Sequence, residues 1–120
     1  MRFFLDTYAM IEIVRGNKDY DKYLSYELIT SIVHLYEFYY DLIKTYTAEE
    51  AKQFYFKFMM YIIPVRNENI FEAAQFKWLH HKRGISYADA LGYTIATQEH
   101  MKFLTGDKEF KDMENVEFVK

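Results

Sequence analysis

Four acidic residues in short, unusual contexts stand out: Asp6 in FFLDT, Glu37 in HLYEFYY, Asp89 in ISYADALGYTIA and Asp107 in FLTGDKEF. Each falls at the end of an expected strand or within the first two turns of an expected helix. A carboxylate set among apolar neighbours is costly unless it is paired or bound to a cation. For four of them a divalent metal is the simplest compensation. Metal held by carboxylates points in turn to phosphodiester chemistry.

Taken singly, three of the four have ordinary structural roles. Asp6 suits the positive end of a helix macrodipole. Asp89 closes an S-x-x-D sequence, Ser86-Tyr87-Ala88-Asp89, of the capping-box kind. Asp107 can open a short helix after a Gly turn. Glu37 is harder to explain in this way. It lies between Tyr36 and Phe38 in a helix that also carries Ile32, Val33, Leu35, Tyr39, Leu42 and Ile43, so almost no polar face is left for it. No Ser/His/Asp or Cys/His arrangement competes. His80 and His81 lack the i, i+4 spacing of a zinc pair, and with Lys82-Arg83-Gly84 they make a solvated helix end. Arg15, Lys18, Lys82, Arg83, Lys108 and Lys111 are candidate clamps for a phosphate backbone.

The elements that must position these acids follow from pattern and punctuation. Apolar runs at Arg2 to Leu5, Glu27 to Thr30, Ile62 to Val65, Lys102 to Leu104 and Val116 to Val119 are expected strands. Pro64 suggests an edge position for the third. Between them lie expected helices. One is capped by Thr7 and stops at Gly16-Asn17. Another is capped by Ser31 and runs to about Thr45. Thr47-Ala48-Glu49-Glu50 is a capping box for a helix to about Tyr61. Further helices span Asn67 to about Arg83 and, capped by Ser86, to about His100. Short helical turns are expected at Asp19 to Tyr23 and Asp107 to Asp112. Strands alternating with helices argue for a parallel sheet covered on both faces. In such sheets the functional crevice lies beyond the carboxyl ends of the strands. Asp6 follows the first strand directly and Asp107 follows the fourth, so both reach the same edge.

Bulk properties narrow the class. The 120 residues are 51% hydrophobic and 28% charged, which describes a single globular domain, residues 1–120, with a real core. No apolar run approaches the roughly 18 residues needed to cross a bilayer. The acid at position 6 comes too early for a secretory leader. Without cysteine, disulfides, zinc fingers and thiol catalysis are excluded, and a cytoplasmic location is expected. The net charge of −3 looks wrong for a nucleic-acid binder, but with the four acids set aside the rest is near neutral. The aromatic content, 20%, fits a core and interface built of large rings. The stretch Phe54 to Tyr61 holds more apolar surface than one helix face can bury, so part of it is expected to meet a partner.

FFLDT, the Glu of HLYEF, SYADALGYTIAT and LTGDKEF resemble the four acidic motifs of the PIN domain family, in their usual order and spacing. The likeness spans the whole chain from Arg2 to the last strand. Its most specific part is the segment around Asp89 followed by T-G-D-x-x-F. In length and as a stand-alone domain the chain is similar to the VapC toxins of type II toxin–antitoxin pairs. That resemblance implies a three-layer α/β/α fold with a five-stranded parallel sheet. It also implies Mg²⁺- or Mn²⁺-dependent cleavage of RNA, with Asp6, Glu37, Asp89 and Asp107 as metal-binding and catalytic acids. Thr105 matches a hydroxyl often seen beside the fourth acid, and Arg15 is a further accessory candidate. The implied partners are an RNA substrate, a small antitoxin protein and a second copy of the chain. Two residues depart from the pattern: Tyr8 stands where a small residue is common, and Gly92 interrupts a usually aliphatic stretch. A housekeeping RNA-processing nuclease of the same fold, and a non-catalytic interaction module, are the alternatives. A phosphoacceptor domain fits poorly, because Ile62 to Val65 leads into Arg66-Asn67-Glu68 with no acceptor Asp.

Overall fold

The structure, a computed structural model, describes all 120 residues. Four strands form one parallel sheet in the order β2-β1-β3-β4: β1 Arg2–Leu5, β2 Glu27–Ile29, β3 Lys102–Thr105 and β4 Val116–Phe118. Five helices connect them: α1 Thr7–Val14, α2 Ile32–Leu42, α3 Ala48–Met59, α4 Asn67–Leu79 and α5 Tyr87–Gln98. Short 3₁₀ segments span Lys18–Ser25, His81–Arg83 and Lys108–Phe110.

Side-chain alternation along the strands splits the core into two layers, as a pleated sheet requires. Phe3, Leu5, Leu28 and Leu104 face α1, α2 and α3 on one side. Phe4, Ile29 and Phe103 face α4 and α5 on the other. Register is fixed by the pairs Phe4–Ile29, Phe4–Phe103 and Thr105–Phe118. The result is the expected three-layer α/β/α arrangement.

The sheet has four strands, not five. The expected strand at Ile62 to Val65 is reduced to one parallel bridge between Ile62 and Thr30 on the outer edge of β2. Thr30 N donates to the Tyr61 carbonyl at 2.9 Å, and Ile63 N to the Thr30 carbonyl at 3.1 Å. The next residue is Pro64, which has no N–H to continue the ladder. Two helix boundaries also differ: α2 ends at Leu42, and α4 ends at Leu79 before the 3₁₀ turn His81–Arg83. The cap of α1 is Asp6 and not Thr7, since Asp6 Oδ1 accepts from Ala9 N at 2.8 Å. Ser31, Thr47 and Ser86 cap α2, α3 and α5 as expected.

Strands β1 and β3 are neighbours at the point where the strand order reverses, the topological position at which open α/β sheets place their ligands. No helix is long and apolar enough to cross a membrane.

Candidate active site at the carboxyl end of the sheet

Asp6 is delivered by the last residue of β1 into the first turn of α1. It is almost fully buried, at 1% exposure. Its Oδ1 is engaged by Ala9 N, and its Oδ2 accepts from the Thr105 hydroxyl at the end of β3. The same Thr105 oxygen accepts from Asp107 N at 3.0 Å. One hydroxyl therefore ties two acids from neighbouring strands together. Asp107 Oδ1 caps the following 3₁₀ turn through Glu109 N, 3.0 Å away. Asp89 comes from the first turn of α5, where Ser86 Oγ receives its backbone N–H at 3.0 Å. Glu37 is half-buried on α2.

The four acids feel one another. Burial pushes Asp6 up to about 8, against the pull of Thr105 and Ala9, and the charges of Asp89 and Asp107 add to the rise. Burial likewise pushes Asp89 up to about 6; Ser86 opposes it, and Asp107 and Glu37 reinforce it. A carboxyl group held protonated by burial and like charge is a common feature of functional sites. No lysine, arginine or histidine forms an ion pair with any of the four; the pairs in the molecule involve Glu12, Asp41, Glu68 and Glu99 instead.

The donor set is hard carboxylate oxygen, which suits Mg²⁺ or Mn²⁺, and its charge is uncompensated by protein. The side chains do not converge on one ligating centre as they stand, and no three of them are placed to hold an ion. Hydrogen bonding accounts for part of this: Asp6 spends both oxygens within the protein, and Asp107 turns one toward Glu109 N. The fit is therefore one of chemistry and charge, with side-chain rotation needed to close the set.

Arg15 lies at the far end of α1 from Asp6, on the order of 13 Å along the helix axis. Its guanidinium is 3.6 Å from Glu12. Arg83 is likewise occupied, donating to the Glu109 carbonyl at 2.9 Å.

One buried residue, close to Glu37 in the chain, has no counterpart among the residues that stand out in the sequence. His34, fully buried on α2 one turn before Glu37, places its Nδ1 2.7 Å from Ser31 Oγ and its ring edge-on to Phe4. Its Nε2 makes no hydrogen bond of normal geometry. Burial lowers its pKa to about 4, although the Ala88 backbone favours the proton slightly. Space for the ring comes from Gly92 on α5: a Cβ there would lie 2.7 Å from His34 Nε2 and 2.9 Å from both Phe4 and Phe103. The departure at Gly92 is thus explained by a close approach of α2 to α5, the helices that carry Glu37 and Asp89. A lone histidine in an apolar helix and a lone glycine 58 positions later give no sequence signal of this contact.

Comparisons with known proteins agree with this fold. The PIN domain family profile matches residues 3–116. Among curated proteins no significant sequence match is found. Solved structures share the fold closely at low identity. A chain of VapBC2 from Rickettsia felis, bound to a DNA fragment from their promoter, superposes with a TM-score of 0.78 at 19% identity, covering 99% of this chain and 98% of that one. The Mycobacterium tuberculosis VapC20, a Sarcin-Ricin loop cleaving toxin, gives 0.78 at 16% identity with 98% and 96% coverage. VapBC-1 from nontypeable Haemophilus influenzae gives 0.76 at 14%, covering 100% and 98%.

Proposed function

The chain belongs to the PIN domain family, and from that membership we propose that it is an Mg²⁺- or Mn²⁺-dependent endoribonuclease acting as the toxin of a VapBC-type pair. The observation that carries the reading is the set of four acids at the reversal point of the sheet with no base to neutralise them. Asp6, Glu37, Asp89 and Asp107 would hold the metal through oxygen ligands. When bound, the metal supplies an acidified water and positive charge for the departing oxygen of the phosphodiester. The protein's own part is positioning. Thr105 fixes Asp6 Oδ2 and the Asp107 backbone at once, and the packing of α2 on α5 brings Glu37 within electrostatic reach of Asp89.

The toxin role, with its antitoxin partner and cytoplasmic setting, draws support from the shared fold with VapBC chains and from unused apolar surface. Ile32, Tyr36, Tyr39, Tyr55 and Phe56 line a groove of about 550 Å³ between α2 and α3. Tyr36 and Phe56 are 77% and 64% exposed there. That groove suits the apolar face of an antitoxin peptide. Met59 and Met60, also exposed, extend the apolar surface on α3 toward contact with a second copy.

The direct test is cleavage of single-stranded RNA with Mg²⁺ or Mn²⁺. Wild type should cut, and Asp6→Asn, Asp89→Asn and Glu37→Gln should not, with their circular dichroism unchanged. Full activity in EDTA or in the Asp6→Asn protein would refute the assignment. Induced alone, the wild type should arrest growth and the Asp89→Asn form should not; normal growth with active, soluble wild type would mark a housekeeping nuclease.

A further inference from the structure

A second cleft, of about 510 Å³, opens beside Asp107 at the same edge of the sheet. Gly106 forms its floor, next to Asp107. Tyr8 makes one wall, and its ring lies so close over Gly106 that a Cβ there would sit 2.2 Å from Tyr8 Cε1 and 2.5 Å from the Val119 carbonyl. Glycine is therefore needed at 106 for Tyr8 to take this position. Phe118, half-buried at the end of β4, also lines the cleft. Lys108, Lys111 and Lys120 complete its lining, all three exposed. None of their side chains is held in an ion pair. Lys111 Nζ lies 5.9 Å from the centre of the Phe118 ring.

The two adjoining sites thus have opposite character, with Asp107 shared between them. The acids present no positive protein group to a phosphodiester, so the protein's own attraction for the flanking backbone must come from elsewhere. Of the basic residues on this side, Arg83 is committed to the Glu109 carbonyl. The lysines are free. Cations tracking a backbone beside flat aromatic faces are what a single strand requires. A paired A-form helix keeps its bases stacked inside and could not use the aromatic walls.

Resting on the nuclease reading, we propose that this cleft is a subsite for a nucleotide flanking the scissile bond of single-stranded RNA. Lys108 and Lys111 contact its backbone phosphates, and Tyr8 and Phe118 provide the surface against which its base lies. The Tyr at position 8 is in this view a specificity feature of this chain, made possible by Gly106.

The test is binding, not cleavage. A fluorescein-labelled single-stranded oligoribonucleotide is titrated with the Asp89→Asn protein in EDTA, and anisotropy is followed from low to moderate salt. The Lys108→Gln/Lys111→Gln double variant should weaken binding about tenfold or more at low salt. It should also lower the salt slope by roughly 1.4, two phosphate contacts on a single strand. Tyr8→Leu should weaken binding about fivefold or more with the slope unchanged, as loss of stacking predicts. All three positions are at least partly exposed, and melting curves check that the variants remain folded. Binding by the double variant within twofold of its parent, with the same slope, would overturn the proposal. So would equal affinity of the parent for a polyglutamate peptide of matched charge, which would mark a cleft for acidic protein segments. The two readings separate cleanly. A protein that binds RNA through these lysines but never cuts keeps the cleft and loses the nuclease; one that cuts regardless of them does the reverse.

Discussion

The two ends of the sheet treat their acids in opposite ways. At the amino end of β3, where α5 finishes, Arg66 pairs with Glu99 and with Glu68 at 3.3 Å, and Arg2 donates to the Glu99 carbonyl. Asn69 and Gln98 join the same network at 2.6 Å. At the carboxyl end, Asp6, Glu37, Asp89 and Asp107 have hydroxyl and backbone partners at most, and two of them are driven toward protonation. The chain has arginines enough to neutralise acids and uses them at one end only. Neutralised acids hold the fold together; acids left without a base destabilise the empty fold and so point to a ligand.

The largest expected effect breaks the charged end directly. Beyond the loss of cleavage in the acid variants, excess Mn²⁺ should raise the wild-type melting temperature. A hundredfold excess over Kd stabilises by about 2.7 kcal/mol, a shift on the order of 10 °C for this size. Asp89→Asn should melt higher than wild type in EDTA and respond less to metal. The pH dependence sharpens the contrast. Asp6 holds its proton up to about 8 when folded, against an ordinary 3.8, so the folded state binds more protons between those values. Metal-free stability should therefore fall as pH rises from about 4 to about 8, and Asp6→Asn should flatten that fall. His34 acts in the other sense. Its folded value of about 4 lies below the ordinary 6.5, so its contribution is lost as pH drops through that interval. A wild type without a metal shift, and an Asn variant melting lower in EDTA, would leave Asp89 only a first-turn acid favourable to the α5 dipole.

A smaller effect should follow from Thr105→Val. Removing the hydroxyl that joins Asp6 to Asp107 should lower activity by about tenfold to a hundredfold, the usual range for a residue that orients ligands. Steady-state cleavage assays over a metal titration would show it as half-saturation at a higher metal concentration. The smallest effect belongs to the neutralised end. Glu99→Gln should cost at most about 1 kcal/mol in a denaturant melt, because the Arg66 side chain is 52% exposed. Its cleavage rate should match wild type; a loss there would mean that the two ends are coupled.

The sequence carried the strand–helix alternation, the caps at Ser31, Thr47 and Ser86, and the arrival of Asp6 and Asp107 at one edge. These are local signals: apolar runs, capping residues and the length of a connection. What it did not carry is set by contacts distant in sequence. The bridge at Ile62 forms only because Thr30 lies beside it, and a run of four apolar residues does not say that pairing stops after one. Asp6 displaces Thr7 as the cap of α1 because its backbone is still extended at the end of β1. Tyr8 and Gly106 read separately as a departure and a turn; together they are one wall and the floor of a cleft.

The fit of His34 beneath Gly92 has a consequence for how such a chain can change over generations. Position 92 has no room for any side chain, because an imidazole and the rings of Phe4 and Phe103 all occupy the space below it. A smaller residue at 34 would remove only one of the three groups that close the space, since the rings of Phe4 and Phe103 would each still lie 2.9 Å from a Cβ at 92. Position 92 is therefore tied to residues 4, 34 and 103 together, and a change at one of them alone does not free it. Among close relatives of this chain, glycine at 92 should persist wherever large rings stand at 4 and 103, even where 34 is no longer histidine.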